Sequence, residues 1–534
     1  MTEVSDSSKE NAGDHHDVVM IQTPPTTASG IVRRLGPGLI IAASIVGSGE
    51  LIMTTKTGAE AGYWLLWLVI IGCVIKVFVQ IEFGRFALTQ GKTSLQGMNE
   101  VPGPRLRVNW LLWYWLIMFT VGLGQLGGIL GGVGQSMAMT VPITGDYNDY
   151  LQARAAQVKY DEQLAAGVES ATRDASPLGP LSTPQREAAE HALAKSLGQR
   201  PDLPSHRDDT YWCIIIAVVT SLLLVNGRYG VIQVVATSLV VFFVIITFAN
   251  LGILQTYPAW ATHWSDLRDG LRFTLPPNSS TAIATALAAF GIIGVGASEL
   301  IAYPYWCLEK GYARFTGPRD SSNQWAGRAQ GWLRVMHWDA WCSMIIYTFA
   351  TLAFYILGAA VLSRSGEIPS NDALIRTLAD MYVPVFGAFA APMFLIGAFS
   401  VLYSTFFVAS AGNSRMAADA LRVFRISGAN HESRVRWVRF FSGAFPLVSL
   451  SIFILFPRPV TLVAISGLIQ ATLLPMLGGA ALFFRYRRCD PRVAPGKPWD
   501  ALLWLSVMGL LIAGGWGAWT KISSLLELFT DMFS

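Results

Sequence analysis

Long apolar runs are the feature that most limits what this chain can fold into. They recur between residues 37 and 520, and each approaches or exceeds the length of about 17 to 25 residues that a membrane-spanning helix needs. Because backbone polar groups in lipid must be paired within the protein, such runs indicate transmembrane helices. We predict an all-α integral membrane protein with eleven spans. The predicted spans are 37–57, 64–83, 110–139, 211–225, 229–252, 281–305, 339–362, 383–410, 436–456, 459–484 and 500–520.

Composition excludes several other classes of protein. Only 14% of the residues are charged, whereas soluble domains average about 25%. The net charge of +4 is too small to indicate nucleic-acid binding, and the five scattered cysteines form neither a disulfide framework nor a zinc motif. The sequence has no phosphate-binding loop and no hydrolase motif. We therefore predict no enzymatic activity, no cofactor and no obligate protein partner.

Basic residues lie mainly in alternate loops, and this predicts the orientation of the spans. Such loops usually face the cytoplasm. We expect the N-terminus to be cytoplasmic and the C-terminus to lie outside the inner (plasma) membrane. The arginines and lysines concentrate before span 1 and in the loops between spans 2 and 3, 6 and 7, 8 and 9, and 10 and 11.

Two polar segments divide the chain. Residues 1–30 are predicted to be a disordered cytoplasmic tail, and residues 141–208 an extracytoplasmic insertion whose Ala/Glu/Lys-rich pieces favour short surface helices. Residues 31–140 then contain the first three spans, and residues 209–534 contain spans 4 to 11. We assign no chemistry to the insertion.

Two of the spans contain an unusual combination of residues. Span 1 includes "GSGE", residues 47–50, and span 6 includes "GIIGVGASEL", residues 291–300. A carboxylate at this depth must face protein or water. Glycine and serine permit local unwinding, which is tolerated at membrane depth only where the backbone is buried in protein or lines a cavity. We predict that helices 1 and 6 are discontinuous.

The two breaks fall at corresponding places if spans 1–5 and 6–10 form a 5+5 inverted repeat. Paired interruptions of this kind point to the binding site of a transporter. Lys76 is a further candidate, either neutralising one of the glutamates as a coupling group or forming a structural pair, and Gln470 is either a support for the site or an interhelical hydrogen-bonding group. The predicted site residues are Gly47, Ser48, Gly49, Glu50, Ala297, Ser298 and Glu299.

The sequence also resembles the Nramp divalent-metal transporters of the LeuT-like superfamily. Four stretches are similar to that family's helices 1, 2, 9 and 10. They are "GPGLIIAASIVGSGELIMTTKTGAEAGYWLLW" (36–67), "GRFALTQGKTSLQG" (84–97), "RVRWVRFFSGAFP" (434–446) and "LIQATLLPM" (468–476). The resemblance implies a LeuT-like fold and transport of a divalent cation.

The chain departs from that family at the site itself. Where the family has Asp-Pro-Gly-Asn, this chain has residues 47–50, and Met-Pro-His corresponds to Ala297, Ser298 and Glu299. The polar glutamine of the family's helix 8 has no evident counterpart. Without the soft methionine sulfur, Mg²⁺ becomes a candidate beside Mn²⁺ and Fe²⁺. Glu50 and Glu299 are the expected metal ligands, in an all-oxygen site for a hard divalent cation. Coupling to protons stays open.

A second interpretation remains at this point. "IVGSGE" is also similar to the Gly-Ser-Gly turn of amino-acid transporters in the same superfamily. There, the amides of a half-helix hold a substrate carboxylate. Glu50 beside those amides would attract an amine. The alternative is therefore a carrier of amino acids or organic amines.

Overall fold

The computed structural model describes residues 21–174, 183–226, 229–277, 280–371, 373–428 and 430–533, and it is almost entirely helical. Eleven long helices follow the order of the predicted spans, and we number them span 1 to span 11. Their bounds are Pro37–Ala61, Leu66–Gln90, Trp110–Thr140, Asp208–Val225, Tyr229–Leu254, Thr281–Lys310, Asn323–Ser365, Ala390–Val423, His431–Leu455, Pro459–Arg488 and Lys497–Phe533.

Short elements connect these spans. Two antiparallel two-residue strands, Arg105–Leu106 and Val108–Asn109, form a small hairpin before span 3. The remaining helices are Ala28–Val32, Ser94–Asn99, Asp146–Asp174, Thr183–Leu197, Trp264–Gly270, Tyr312–Thr316, Leu374–Asp380 and Val383–Phe386, with single 3₁₀ turns at Gly387–Phe389 and Pro491–Val493.

Helix ends follow ordinary capping chemistry. Span 2 ends at Gly91, which has the left-handed φ of 63° that glycine adopts without steric cost. The next helix begins with a capping box in which Thr93 and Gln96 satisfy each other's backbone N–H groups. The Ser322 hydroxyl caps span 7 by accepting from the backbone N–H of Trp325 at 3.1 Å. These local signals set the helix boundaries.

The predicted all-helical membrane architecture is confirmed, and the bounds of two spans are corrected: span 7 begins at Asn323 rather than at 339, and both ends of span 8 are shifted. Within the described residues, ten helices are long and apolar enough to cross a membrane, and span 5 contributes a further apolar segment, Val241–Leu254. The eighth span was predicted at 383–410 but begins at Ala390 and continues to Val423. Gly387, with a φ of 53°, ends a short helix that precedes span 8. The C-terminal end of span 8 is polar, so the sequence there does not contain an apolar run.

Spans 1 and 6 lie at the centre of the bundle. Of their most apolar 18-residue windows, 94% and 78% are buried by other parts of the protein, the two highest values among the ten candidate spans. Span 9, by comparison, is only 28% buried and lies at the periphery. Because protein surrounds the central spans, their backbone can unwind without exposing polar groups to lipid.

The loops predicted to share one side of the membrane do contact one another. We call this the arginine-rich side. The contacts join four loops that are distant in sequence, namely those between spans 2 and 3, 6 and 7, 8 and 9, and 10 and 11. The contacts include those of Arg107 with the Arg425 carbonyl, Glu100 with Arg488, and Arg492 with the Asp320 carbonyl.

The two polar segments predicted from the sequence are described in part. Residues 1–20 of the predicted tail lie outside the described residues, whereas the Gln22 backbone N–H donates to the Phe315 carbonyl and the Gln22 carbonyl accepts from the Trp332 indole N–H. Within 141–208, the helices Asp146–Asp174 and Thr183–Leu197 are packed together. Arg376, in the loop between spans 7 and 8, donates to the Leu151 carbonyl at 2.8 Å. The insertion therefore lies on the side opposite the arginine-rich side.

Asp490 links two loops of the arginine-rich side and gives a pH-dependent prediction. It accepts hydrogen bonds from Arg492 and from Arg319, the latter at 2.9 Å. The Arg492 hydrogen bonds hold the pKa of this carboxyl well below its usual range. Its contribution to stability is therefore present above the unfolded-state pKa of about 3.9 and is lost as pH falls towards the folded-state value.

We expect Asp490→Asn to lower the free energy of unfolding by about 2 kcal/mol at neutral pH. Thermal unfolding of both proteins in detergent should show the difference shrinking as pH falls below about 4, because the carboxyl then becomes protonated in the unfolded wild-type chain while it is still ionised in the folded one. A difference in Tm that stays constant from pH 7 to pH 3 would contradict this account.

Candidate functional site

The break in span 1 separates the helix Pro37–Ile45 from a wide π-helical turn, Ser48–Thr54, that continues as Thr55–Ala61. The missing side chains of two glycines permit close packing there. A Cβ on Gly47 would overlap the side chain of Thr405 on span 8, and a Cβ on Gly49 would meet the Ile292 carbonyl oxygen at 2.9 Å. The side chain of Ser48 lies outside the part of the chain that the structure describes.

The break in span 6 separates Ser280–Ile292 from Ala297–Lys310. Gly294 has a φ of 57°, in the left-handed region that favours glycine, and Gly296 precedes the second half-helix in an extended conformation. Both breaks occur where the sequence predicts them. The reversal at Gly294 turns its backbone N–H away from the helix and towards span 1.

Glu50 connects the two breaks and is fully buried. Its Oε1 accepts a hydrogen bond from the Gly294 N–H at 3.0 Å and another from the Thr351 hydroxyl of span 7 at 3.2 Å. Its Oε2 is buried and has no hydrogen-bond partner among the described residues. A buried carboxylate oxygen without a donor indicates a place that another polar group or a cation can occupy.

Glu299 lies in a different setting, half-buried in the wall of a cavity between spans 1, 3, 6 and 8. Its Oε1 accepts a hydrogen bond from the Ser44 hydroxyl at 3.3 Å. Most of the cavity wall belongs to the halves of these spans nearest the arginine-rich side. The other polar residues of the wall are Gln125, Ser298, Thr405 and Asn413, and its apolar residues include Phe119, Trp306 and Met416.

Gln470 supports this cavity from span 10. Its Oε1 accepts from the backbone N–H of Ser298 at 3.1 Å, and its Nε2 donates to Gln125 Oε1 at 2.8 Å and to Ser466 Oγ at 3.3 Å. Gln470 therefore orients two groups of the wall, although it does not line the cavity itself.

Lys76 of span 2 is fully buried beside the break in span 6. Its ammonium donates to the backbone carbonyls of Phe290 and Ile293, the latter at 2.7 Å. Among the described residues, no ion pair within 4.0 Å joins Lys76 to Glu50 or to Glu299. Its direct partners are therefore backbone carbonyls.

The two glutamates occupy opposite halves of their spans. Glu50 follows the break in span 1, in the half that runs away from the arginine-rich side, and Glu299 follows the break in span 6, in the half that runs towards it. Glu50 does not line the cavity. Within the described residues, no group of three or more His, Cys, Asp or Glu side chains is arranged to hold a metal ion.

Several residues of the site were missed by the sequence analysis. Ser44 and Thr351 are small hydroxyl residues in apolar helices, where they are common and carry little information. Asn413 and Met416 lie beyond residue 410, where the eighth span was predicted to end, so neither was examined as a membrane residue. Asn413 is a polar group on span 8, and Met416 adds a thioether to the cavity wall.

Chemically, the cavity can hold a desolvated cation. A carboxylate, hydroxyls and side-chain amides are the oxygen ligands that hard divalent cations prefer, and a thioether favours softer transition metals. Ala297 is fully buried at the start of the second half-helix, so it can contribute only its backbone.

Comparison with known proteins gives a consistent result. Residues 202–520 match the sequence profile of the family described as "Nramp: Natural resistance-associated macrophage protein-like". This segment includes the break in span 6 but not the break in span 1. A curated relative, "Divalent metal cation transporter MntH" of Caldanaerobacter subterraneus subsp. tengcongensis, is 27% identical over 114 residues. That match covers 21% of this chain and only 26% of the relative's length.

Solved structures share the fold over nearly the whole chain. The manganese transporter of Eremococcus coleocola, in complex with an aromatic bis-isothiourea substituted compound, gives a TM-score of 0.59 at 14% identity, covering 93% of this chain and 88% of that one. A point mutant of the same transporter gives a TM-score of 0.57 at 15% identity, covering 92% and 88%. At this level of identity, the comparison establishes the fold alone.

Proposed function

Because this chain belongs to the Nramp family, we propose that it is a secondary transporter that moves a divalent metal cation across the membrane by alternating access. The cation is the cargo rather than a cofactor, and Mn²⁺, Fe²⁺ and Mg²⁺ are the candidates. Transport of this kind needs no covalent chemistry, so we propose no enzymatic role. The proposed metal ligands are Glu299 and Glu50.

One observation carries this proposal: each broken span bears one glutamate, and only one of the two is accessible. Glu299 lines the cavity on the arginine-rich side, whereas Glu50 is sealed by Gly294 and Thr351. Alternating access requires a site that is open to one side and closed to the other. Movement of the half-helices about the breaks would expose Glu50 as Glu299 becomes covered.

The oxygen donors around Glu299 support a cation as the cargo. The Ser44 hydroxyl and the amide of Asn413 are neutral groups that can replace water around a metal ion. The Met416 thioether favours Mn²⁺ or Fe²⁺, while the preponderance of oxygen keeps Mg²⁺ among the candidates.

Charge within the site bears on coupling. If Lys76 and one of the two glutamates are protonated before the metal binds, the three groups carry a formal charge of 0, and a divalent ion changes this to +2. A positive charge buried in a medium of low dielectric constant is unfavourable. Loss of the glutamate's proton as the metal binds would offset part of this charge while Lys76 stays protonated, and we include such proton coupling in the proposal. A pH-sensitive dye inside proteoliposomes would measure it during metal uptake.

The amine-carrier interpretation receives less support. It requires free backbone amides at the breaks to hold a substrate carboxylate. The Gly294 N–H instead donates to Glu50, and the Ser298 N–H donates to Gln470. Two of the amides that would bind such a substrate are therefore already paired within the protein.

Uptake by proteoliposomes tests the proposed function. We expect vesicles containing the purified protein to accumulate Mn²⁺, Fe²⁺ or Mg²⁺ down an imposed gradient, with protein-free vesicles as the control. Each of the other ions, and Ca²⁺ as a further competitor, would then be added separately. The degree to which each one inhibits uptake would rank the ions by affinity. The proposal fails if no metal enters while members of an amino-acid panel are transported.

We also propose the orientation of the chain. Loops rich in arginine favour the cytoplasm, so we place the arginine-rich side and the N-terminus inside the plasma (inner) membrane, with the 141–208 insertion and the C-terminus outside. Contacts among the arginine-rich loops support a common side for them. Labelling of single cysteines introduced into the insertion and the loop at 312–322, in intact cells, would test this orientation.

A further inference from the structure

The first half-helix of span 6, Ser280–Ile292, ends with backbone carbonyls that have lost their usual donors. In a continuous helix the Phe290 carbonyl would accept from the N–H of Gly294, but that N–H donates to Glu50. The end of a half-helix also carries the negative end of the helix dipole. This arrangement attracts a cation.

The ammonium of Lys76 occupies this position. It donates to the carbonyls of Phe290 and Ile293 and lies 4.6 Å from the centre of the Phe290 ring, within the range of a cation–π interaction. Its side chain is fully buried. Carbonyl oxygens and an aromatic face together form a site for a monovalent cation. In transporters that contain broken helices, backbone carbonyls at the unwound ends of half-helices coordinate Na⁺.

We propose that the break in span 6 contains a second, monovalent-cation site, which the ammonium of Lys76 fills permanently as a tethered cation. This site is separate from the cavity at Glu299 and is formed by backbone carbonyls rather than carboxylates. The inference does not depend on the identity of the cargo. It implies that the wild-type protein needs no Na⁺ or K⁺ to hold the break in its folded form.

Lys76→Ala tests this proposal because it empties the site while leaving the carbonyls in place. We expect the Tm of the purified variant in detergent to fall, and to recover in n-propylammonium, which replaces the three carbons and the nitrogen that the substitution removes. A cation that binds only the folded state stabilises it by mass action. Na⁺ or K⁺ should give a smaller recovery, and tetramethylammonium, which is too bulky, should give none at equal ionic strength.

Two comparisons make the result specific. The Tm of the wild type should not change with n-propylammonium, because Lys76 already fills the site. Lys56→Ala removes a partly exposed lysine paired with Glu60 at 3.3 Å, and it should show no response to n-propylammonium. If Lys76→Ala loses stability and no small cation restores it more than tetramethylammonium does, Lys76 is a structural anchor and the proposal is wrong.

Lys76→Gln decides the matter if the alanine variant does not fold. Glutamine retains N–H donors for the two carbonyls but carries no charge. We expect its Tm to lie below that of the wild type and to rise with Na⁺ or K⁺. A Tm equal to that of the wild type, or one that monovalent cations leave unchanged, would overturn the proposal because hydrogen bonding without charge would then suffice.

Discussion

Replacing Glu299 by glutamine is expected to reduce the initial rate of metal uptake at least about 100-fold, since even residues that only support metal ligands change affinity by 10- to 100-fold. Glutamine keeps an oxygen that can accept from the Ser44 hydroxyl, so the local structure should persist. It removes the negative charge that the cavity offers to a cation. Uptake in proteoliposomes over a range of metal concentrations, with Tm measured in parallel, checks this expectation.

Glu309 provides a matched control on the same half-helix. It is paired with Arg415 at 2.7 Å and lies outside the cavity that contains Glu299. We expect Glu309→Gln to transport metal at close to the wild-type rate. If both variants, or neither, lose uptake, the cavity at Glu299 has no special part in transport.

Replacing Glu50 by glutamine is expected to reduce uptake by at least about 10-fold without lowering the Tm. The amide oxygen can accept from the Gly294 N–H and the Thr351 hydroxyl, as Glu50 Oε1 does, so the contact between the two breaks is retained. The substitution removes a buried charge that has few partners, and this does not destabilise the fold. Glu50→Ala, by contrast, leaves the Gly294 N–H without its acceptor, at a cost of about 1–3 kcal/mol, whereas the Thr351 hydroxyl keeps the Tyr347 carbonyl at 2.7 Å.

A double-mutant cycle shows whether the two glutamates serve the same ion. If both ligate it during transport, the combined Glu50→Gln and Glu299→Gln variant should be scarcely worse than Glu299→Gln alone, because the effects of groups that act together are not additive. Glu60→Gln, elsewhere on span 1, serves as the control. Wild-type uptake by Glu50→Gln would mean that Glu50 is purely structural.

Much of the architecture could be predicted because the relevant patterns are local. A span requires about 20 consecutive apolar residues, and a break requires glycines beside a polar group, so each can be recognised within a short window. The prediction failed at the end of span 8 because an amphipathic helix extends beyond its apolar part. That single boundary concealed Asn413 and Met416, both of which line the cavity.

The apolar runs and the two glycine-rich interruptions by themselves determined that this is a membrane protein with two broken helices, each bearing a glutamate. Only the tertiary structure decided the surroundings of each charge: Glu299 in a cavity wall, Glu50 sealed against Gly294 and Thr351, and Lys76 on the carbonyls of span 6. The partners of Glu50 and Lys76 are more than 200 residues away in sequence. Such contacts depend on how helices pack and where their backbone unwinds, and no local pattern encodes either.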